Sequence, residues 1–201
     1  MKRIAFALAC LTAAHAAQAE ILDINIGSDS FRAALSGQLS RMFDVDKGQY
    51  DFGLLSKRRD SDDLYQGHFG VLLTGDAGAS NADVSAGLGV RFIGTDFGNA
   101  TGGALALGGQ LEFRLPAFNR LGLTAYGYGA PSATGLGDVD RYTELAVTID
   151  YQVLRDASIY LGYRNLKYRI EDIVDDNGIE RSVERSVTAD SGLHAGLRLN
   201  F

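Results

Sequence analysis

The chain has 201 residues, a net charge of −6, 25 glycines, 2 prolines and a single cysteine. The acidic balance disfavours a nucleic-acid partner, whose phosphates call for lysine and arginine, and no apolar run is long enough to form a membrane helix. The length suits one domain.

The amino end reads as a secretory signal peptide over residues 1–19. Met1-Lys2-Arg3 is its positive start, Ile4 to Leu11 its apolar centre, and Ala17-Gln18-Ala19 its cleavage site. Cys10 lies inside it without the leucine placement of a lipoprotein site, so the mature chain from Glu20 offers no disulfide, thiol nucleophile or thiolate metal ligand. Losing Lys2 and Arg3 leaves 17 of the 19 basic residues against 25 acidic ones, so −6 becomes −8.

From there the chain alternates. Ile21 to Ile26 sets Leu22, Ile24 and Ile26 against Asp23 and Asn25, and Phe31 to Leu39 sets Phe31, Ala33 and Leu35 against Arg32, Ser36 and Gln38. This period of two is that of a strand with unlike faces. A turn around Asp44 to Lys47 precedes a third strand, Gln49 to Ser56, whose parity is blurred by Leu54-Leu55. After the charged loop Lys57 to Asp63 comes Leu64 to Thr74, with Phe69, Val71 and Leu73 opposing Gln66, His68 and Thr74. The fifth strand is the cleanest: Val84, Ala86, Leu88, Val90 and Phe92 alternate with Asp83, Ser85, Gly87, Gly89 and Arg91.

The sixth sets Leu105, Leu107, Leu111 and Phe113 against Ala104, Ala106, Gly108, Gln110, Glu112 and Arg114. Pro116 to Asn119 turns into Leu121 to Gly129, where Leu123 and Ala125 oppose Thr124, Tyr126 and Tyr128. Beyond the Gly-rich loop Ala130 to Asp140, the eighth strand opposes Leu145, Val147, Ile149 and Tyr151 to Glu144, Thr148 and Asp150. The ninth opposes Ile159, Leu161 and Tyr163 to Tyr160, Gly162 and Arg164. The tenth opposes Leu193, Ala195, Leu197, Leu199 and Phe201 to Gly192, His194, Arg198 and Asn200.

Ten segments, greasy on one face and polar on the other, predict an all-β fold: a single antiparallel, up-and-down transmembrane barrel over residues 20–201 with a wet lumen. The first hairpin is the least secured, and without it the count is eight. A two-residue turn at Asn177-Gly178 would pair opposite faces of the last two strands, which a one-sided wall forbids. A three-residue loop Asp176-Asn177-Gly178 with a G1 bulge restores the match and predicts the inward pairs Tyr160 with His194 and Arg164 with Asp190. Short connections on one side and longer polar ones on the other put both ends in the periplasm.

The terminal strand, with Leu197, Leu199 and the final Phe201, resembles the carboxy-terminal signal by which the barrel-assembly machinery recognises outer-membrane barrels. Four glycine- and aromatic-rich stretches, Gly102 to Gly109, Gly129 to Ser132, Arg141 to Glu144 and Tyr160 to Arg164, resemble the YfaZ-type outer-membrane proteins of proteobacteria. That resemblance implies a small outer-membrane barrel of unassigned activity and brings no catalytic residues with it. The expected surroundings are outer-membrane lipids and lipopolysaccharide.

Candidates for chemistry lie on the inward parity. Asp83, Arg91, Glu112, Arg114, Glu144, Asp150, Arg164, Asp190, His194 and Arg198 form a candidate lumen network. Few strands leave a bore just wide enough for side chains, and charges there persist when paired, so a plugged, non-enzymatic barrel is the first expectation. The second is a narrow passive channel past the small residues Gly87, Gly89, Ala104, Ala106 and Gly108. A third, a small hydrolase, would need His68 or His194 beside a serine and a carboxylate, for which Ser85 and Glu112 only share the lumen. Asp175, Asn177 and Glu184 lie at the spacing of a calcium loop about Gly178, but Ile173 occupies the first ligand position and a solvated hairpin tip fits better. No cofactor, catalytic set or metal site is expected. Outward Phe92, Phe113, Tyr151, Tyr163 and Phe201 read as interfacial girdles, and inward Tyr126 and Tyr128 as packing at a mouth.

Overall fold

The computed structural model describes residues 21–41, 47–58, 63–77, 83–97, 100–176 and 179–201, with side chains described except for Arg41 and residues 171–183. Eleven strands run in chain order: β1 (Ile21–Gly27), β2 (Ser30–Gln38), β3 (Gln49–Lys57), β4 (Leu64–Asp76), β5 (Asp83–Asp96), β6 (Thr101–Arg114), β7 (Leu121–Ala130), β8 (Gly135–Gly137), β9 (Val139–Leu154), β10 (Ala157–Asp176) and β11 (Ile179–Asn200). Each long strand pairs antiparallel with its neighbour, and β1 pairs with both β2 and β11. Ten strands therefore close into a barrel, with β8 outside the ring. The first hairpin belongs to the wall, and closure removes every sheet edge along it.

The side-chain period survives all the way round. Leu88, Leu161 and Leu193 on the outer face are 76%, 69% and 76% exposed, while Arg91, Tyr160 and His194 on the inner face are buried. Exposed apolar side chains recur on the outer face of every long strand, as a wall in lipid requires. The five expected girdle rings, Phe92, Phe113, Tyr151, Tyr163 and Phe201, are all exposed there.

Neighbouring strands settle the ambiguous parity of β3. Asp51 faces Ser36 of β2 and Gly70 of β4, so Asp51 and Leu55 point inward, while Phe52 is exposed outside. The expected turns around Asp44 to Lys47, Lys57 to Asp63 and Gly75 to Asn81 lie largely outside the described residues.

The last hairpin corrects the sequence reading. Asp176 pairs with Ile179, which leaves two residues between the strands rather than three, and this register holds back to Lys167 with Thr188. There the ladder shifts: Leu166 pairs with Asp190, so Ala189 is an extra residue in β11. The parity correction expected at the turn is made by a bulge in mid-strand. Below it Gly162 opposes His194, and Arg164 opposes Gly192. The two expected pairs become diagonal neighbours, and both still touch. Tyr160 and His194 meet edge to face at 5.8 Å, and Arg164 Nε donates to Asp190 at 2.8 Å.

β10 and β11 are 20 and 22 residues long, about twice what a tilted strand needs to cross the bilayer. β9 leaves β10 at Ile170, and β1 leaves β11 at His194, so the hairpin continues beyond the ring as a two-stranded ribbon. The calcium-like loop falls within this tip, and its side chains at 171–183 lie outside the described residues. On the neighbouring wall, β8 folds back onto Gly102–Ala104 of β6, above the level at which β7 has stopped pairing. Gly137 makes that return at φ 66, and a Cβ there would sit 2.7 Å from the Thr101 carbonyl oxygen. A glycine is needed on both counts.

Candidate functional site

Among the described residues the lumen gathers ionisable side chains from most of the strands, and it divides into levels. In the middle, Arg91 of β5 crosses the bore. Its Nη1 donates to Glu144 of β9 at 2.9 Å and its Nη2 to Asp51 of β3 at 2.7 Å. His68 Nε2 lies 2.8 Å from the same Asp51 carboxylate. Glu144 also accepts from Tyr142 OH and from Tyr126 OH, and Arg32 of β2 donates to Tyr126 OH at 2.8 Å. The Arg91 guanidinium lies 3.8 Å from the centre of the Tyr128 ring, a cation–π contact. Arg32 and Arg91 are thus matched by Asp51 and Glu144.

A second cluster sits towards the outer side of β11. Arg164, almost fully buried, donates to Asp190 and, at 3.2 Å, to Asn25. Ser30 donates to Asp190, and Lys57 lies 3.9 Å from Asp190 and 3.4 Å from Asp29. The bulge presents Ala189 and Asp190 together to the interior, both buried.

The third cluster faces the periplasmic end. Arg198 pairs with Asp23 at 2.9 Å, lies 3.8 Å from Asp150, and stacks 4.6 Å from the Tyr160 ring centre. Tyr160 OH donates to Asp23, and Arg114 pairs with Asp150 at 2.9 Å. Beneath them opens a cavity of about 200 Å3 lined by Asp83, Ser85, Glu112, Arg114, Asp150 and Arg198 among others. Asp83 and Glu112 are exposed at this mouth, and Gln110 donates to Glu112 at 2.6 Å. The ten expected lumen residues lie at different levels: Arg91 and Glu144 in the middle, Arg164 and Asp190 in the second cluster, Arg114, Asp150 and Arg198 in the third, Asp83 and Glu112 at the open mouth, and His194 against the Tyr160 ring. Asn25 Nδ2, donating to Asp23 at 3.2 Å, links the second cluster to the third.

Sequence reasoning left Asp23, Arg32 and Asp51 out of the network. Asp23 and Arg32 already lay on the inward parity of their strands. Asp51 became legible only when the partners of β3 fixed its parity. A larger omission lies above the charges. Leu55, Leu64, Ile93, Tyr142, Leu166, Tyr168, Ile170 and Val187 point inward and form one buried apolar cluster, with Phe97 edge-on to Tyr168 at 5.0 Å. The outer half of the lumen is filled as the core of a soluble protein is. Tyr126 and Tyr128, expected at a mouth, belong to this interior, where Tyr128 is 3% exposed.

The small inward residues are occupied rather than open. Ala104 and Ala106 are buried, and a Cβ on Gly108 would enter the Tyr128 ring at 2.5 Å. His68 is held by Asp51 and His194 by the Tyr160 ring, whereas Ser85 opposes Glu112 on the wall of the periplasmic cavity. The serine and the histidines occupy different levels of the bore. Among the described residues no three His, Cys, Asp or Glu side chains are grouped as metal ligands would be.

A closed ten-stranded wall, greasy outside and charged or packed inside, defines an integral β-barrel of the bacterial outer membrane, exported through a signal peptide. The chain belongs to the YfaZ precursor family, whose match covers residues 1–187. No curated protein matches it. Among solved structures it is similar to the KdgM porin, with 12% identity, TM-score 0.44, and 91% of this chain and 99% of that one covered. It is also similar to outer membrane phospholipase A from Escherichia coli, with 10% identity, TM-score 0.39, and coverage of 90% and 92%. A further similarity is to OmpT, an outer membrane protein of Vibrio cholerae, with 13% identity, TM-score 0.31, and coverage of 90% and 64%.

Proposed function

We propose that the protein is a non-enzymatic barrel whose bore is shut, and that it works through its wall and outer hairpin as a structural or surface-interaction protein. The observation carrying this reading is the bridge of Arg91 to Asp51 and Glu144 across the lumen, roofed by the apolar cluster around Ile93, Tyr142, Leu166 and Tyr168. The three charged clusters match cations with carboxylates: Arg32 and Arg91 with Asp51 and Glu144, Arg164 and Lys57 with Asp190 and Asp29, and Arg114 and Arg198 with Asp150 and Asp23. This leaves the excess of one sign to Asp83 and Glu112 at the mouth. A Tyr142–Glu144–Arg91 chain also fixes rotamers that a permeation path would need mobile. The wall contacts outer-membrane lipid and lipopolysaccharide, and Leu197, Leu199 and Phe201 at the end of β11 present the assembly signal to the barrel-assembly machinery.

Reconstitution into planar bilayers tests this. Resolved conductance steps should be absent for the wild type. They should appear when the roof and the bridge are both removed, as in Arg91→Ala combined with Tyr142→Ala. Steady wild-type channel currents would overturn the reading. They would favour the alternative, a narrow passive channel, which the periplasmic cavity supports. On that alternative, alanine at Arg114 or Glu112, both lining the cavity, changes conductance.

A further inference from the structure

On the outside of the barrel, three adjoining strands change chemistry at one height. The outward positions of β9 run Tyr151, Ile149, Val147, Leu145 and then Thr143 and Arg141. Those of β10 run Ile159, Leu161, Tyr163 and then Asn165, Lys167 and Arg169; those of β11 run Leu197, Ala195, Leu193 and then Ser191 and Thr188. The register brings the polar ends together. Thr143 opposes Lys167, Arg141 opposes Arg169, and Lys167 and Arg169 have Thr188 and Ser186 on their other flank. Just below, Ser191 meets Tyr163 OH at 3.1 Å and accepts from Asn165 Nδ2 at 3.4 Å, tying the belt together.

Height follows from geometry. A strand tilted by about 40° climbs about 2.5 Å per residue, so the stretch from Ala157 to Lys167 rises about 25 Å, the thickness of the apolar band. Lys167, Arg169 and Arg141 then begin where the outer leaflet's headgroups lie.

Like charges directly opposed on neighbouring strands repel. Arg169 has Glu184 at 3.1 Å, but no ion pair reaches Arg141 or Lys167 among the described residues. Three long cations crowded above an apolar wall, two of them with no carboxylate among the described residues, are suited to an anion supplied by the membrane.

We propose that Arg141, Lys167 and Arg169 bind the phosphate groups of a phosphorylated outer-leaflet glycolipid, with its acyl chains lying along Leu145, Val147, Leu161, Tyr163 and Leu193. Thr143, Ser186 and Thr188 supply hydroxyl contacts to the sugar. The site lies outside the barrel, so it stands apart from whether the bore conducts.

The test refolds the mature chain, adds purified bisphosphorylated lipid A or its dephosphorylated form, and counts bound lipid by native mass spectrometry. The wild type should retain the bisphosphorylated lipid and retain the dephosphorylated one at least about tenfold more weakly. The variant Arg141→Ser/Lys167→Ser/Arg169→Ser should lose about tenfold or more of the retention while still migrating as a folded barrel on unheated gels. The periplasmic control Arg120→Ser/Arg155→Ser should retain lipid as the wild type does. Equal retention by the triple variant, equal loss in the control, or indifference of the wild type to the phosphates would each overturn the site.

Discussion

Arg164 shows what a buried charge asks of its neighbours. It is 1% exposed and spends its donors on Asp190 and Asn25, from the two strands either side of the barrel's closing seam. Replacing it with leucine takes from the Asp190 carboxylate its closest cation and leaves it the Ser30 hydroxyl and Lys57 at 3.9 Å, and the expected cost is about 3 kcal/mol. Urea unfolding of the refolded barrel in detergent measures it. Arg164→Leu combined with Asp190→Leu removes both charges and should recover most of that loss. A double variant as unstable as the single one would mean that the arginine acts through packing rather than through its partner. That both partners face inward was legible from parity, since Arg164 and Asp190 both fall on the inward set. Its diagonal geometry was not, because it depends on where the ladder slips.

At the level of the strand, the extra residue Ala189 decides how β11 is seated. Were Ala189 to take a place in the ladder opposite Leu166, the register set at Asp176 and Ile179 would run on unbroken and turn Leu193, Ala195 and Leu197 into the lumen. Deleting Ala189 leaves Thr188 opposite Lys167 and Asp190 opposite Leu166, so that variant should keep the folded, heat-modifiable band on gels. Deleting Ala189 and Asp190 together moves every following residue by one place and should abolish it. A double deletion that folds as well as the wild type would place the register control elsewhere. Alternation predicted that some correction was required near this hairpin. It could not say where, because a single alanine between Thr188 and Asp190 carries no turn signal; its position is set by the packing of Val187 and Ala189 under Tyr168 and Leu166.

For the whole molecule, the ribbon beyond Ile170 is separable from the barrel. Above that point β10 pairs only with β11, and β11 does not pair with β1 beyond His194. Replacing residues 171–184 with a short Asn-Gly turn should leave the folded band unchanged and lower the strand signal in circular dichroism only by the residues removed. Failure of the shortened chain to refold would tie the hairpin to barrel assembly. The wall below is continuous, and its closure through β1 and β11 joins the two ends of the mature chain. A carboxy-terminal strand must therefore be in place before the ring can shut.

Strand positions, the lipid-facing set and the export route follow from the sequence alone, because the two-residue period is a local property that each segment writes independently. The same period concealed the outer half of the lumen. Leu55, Leu64, Ile93, Leu166, Tyr168 and Ile170 stand on the inward parity, where a wet bore calls for polar residues, and each looks like an isolated exception in its own strand. Only the closed barrel brings these exceptions to one height, where they form a core, and brings Arg91 between Asp51 and Glu144 from strands far apart in the chain. Local alternation fixes which way a side chain points. Register and closure fix what it meets, and those depend on pairings that span the whole chain.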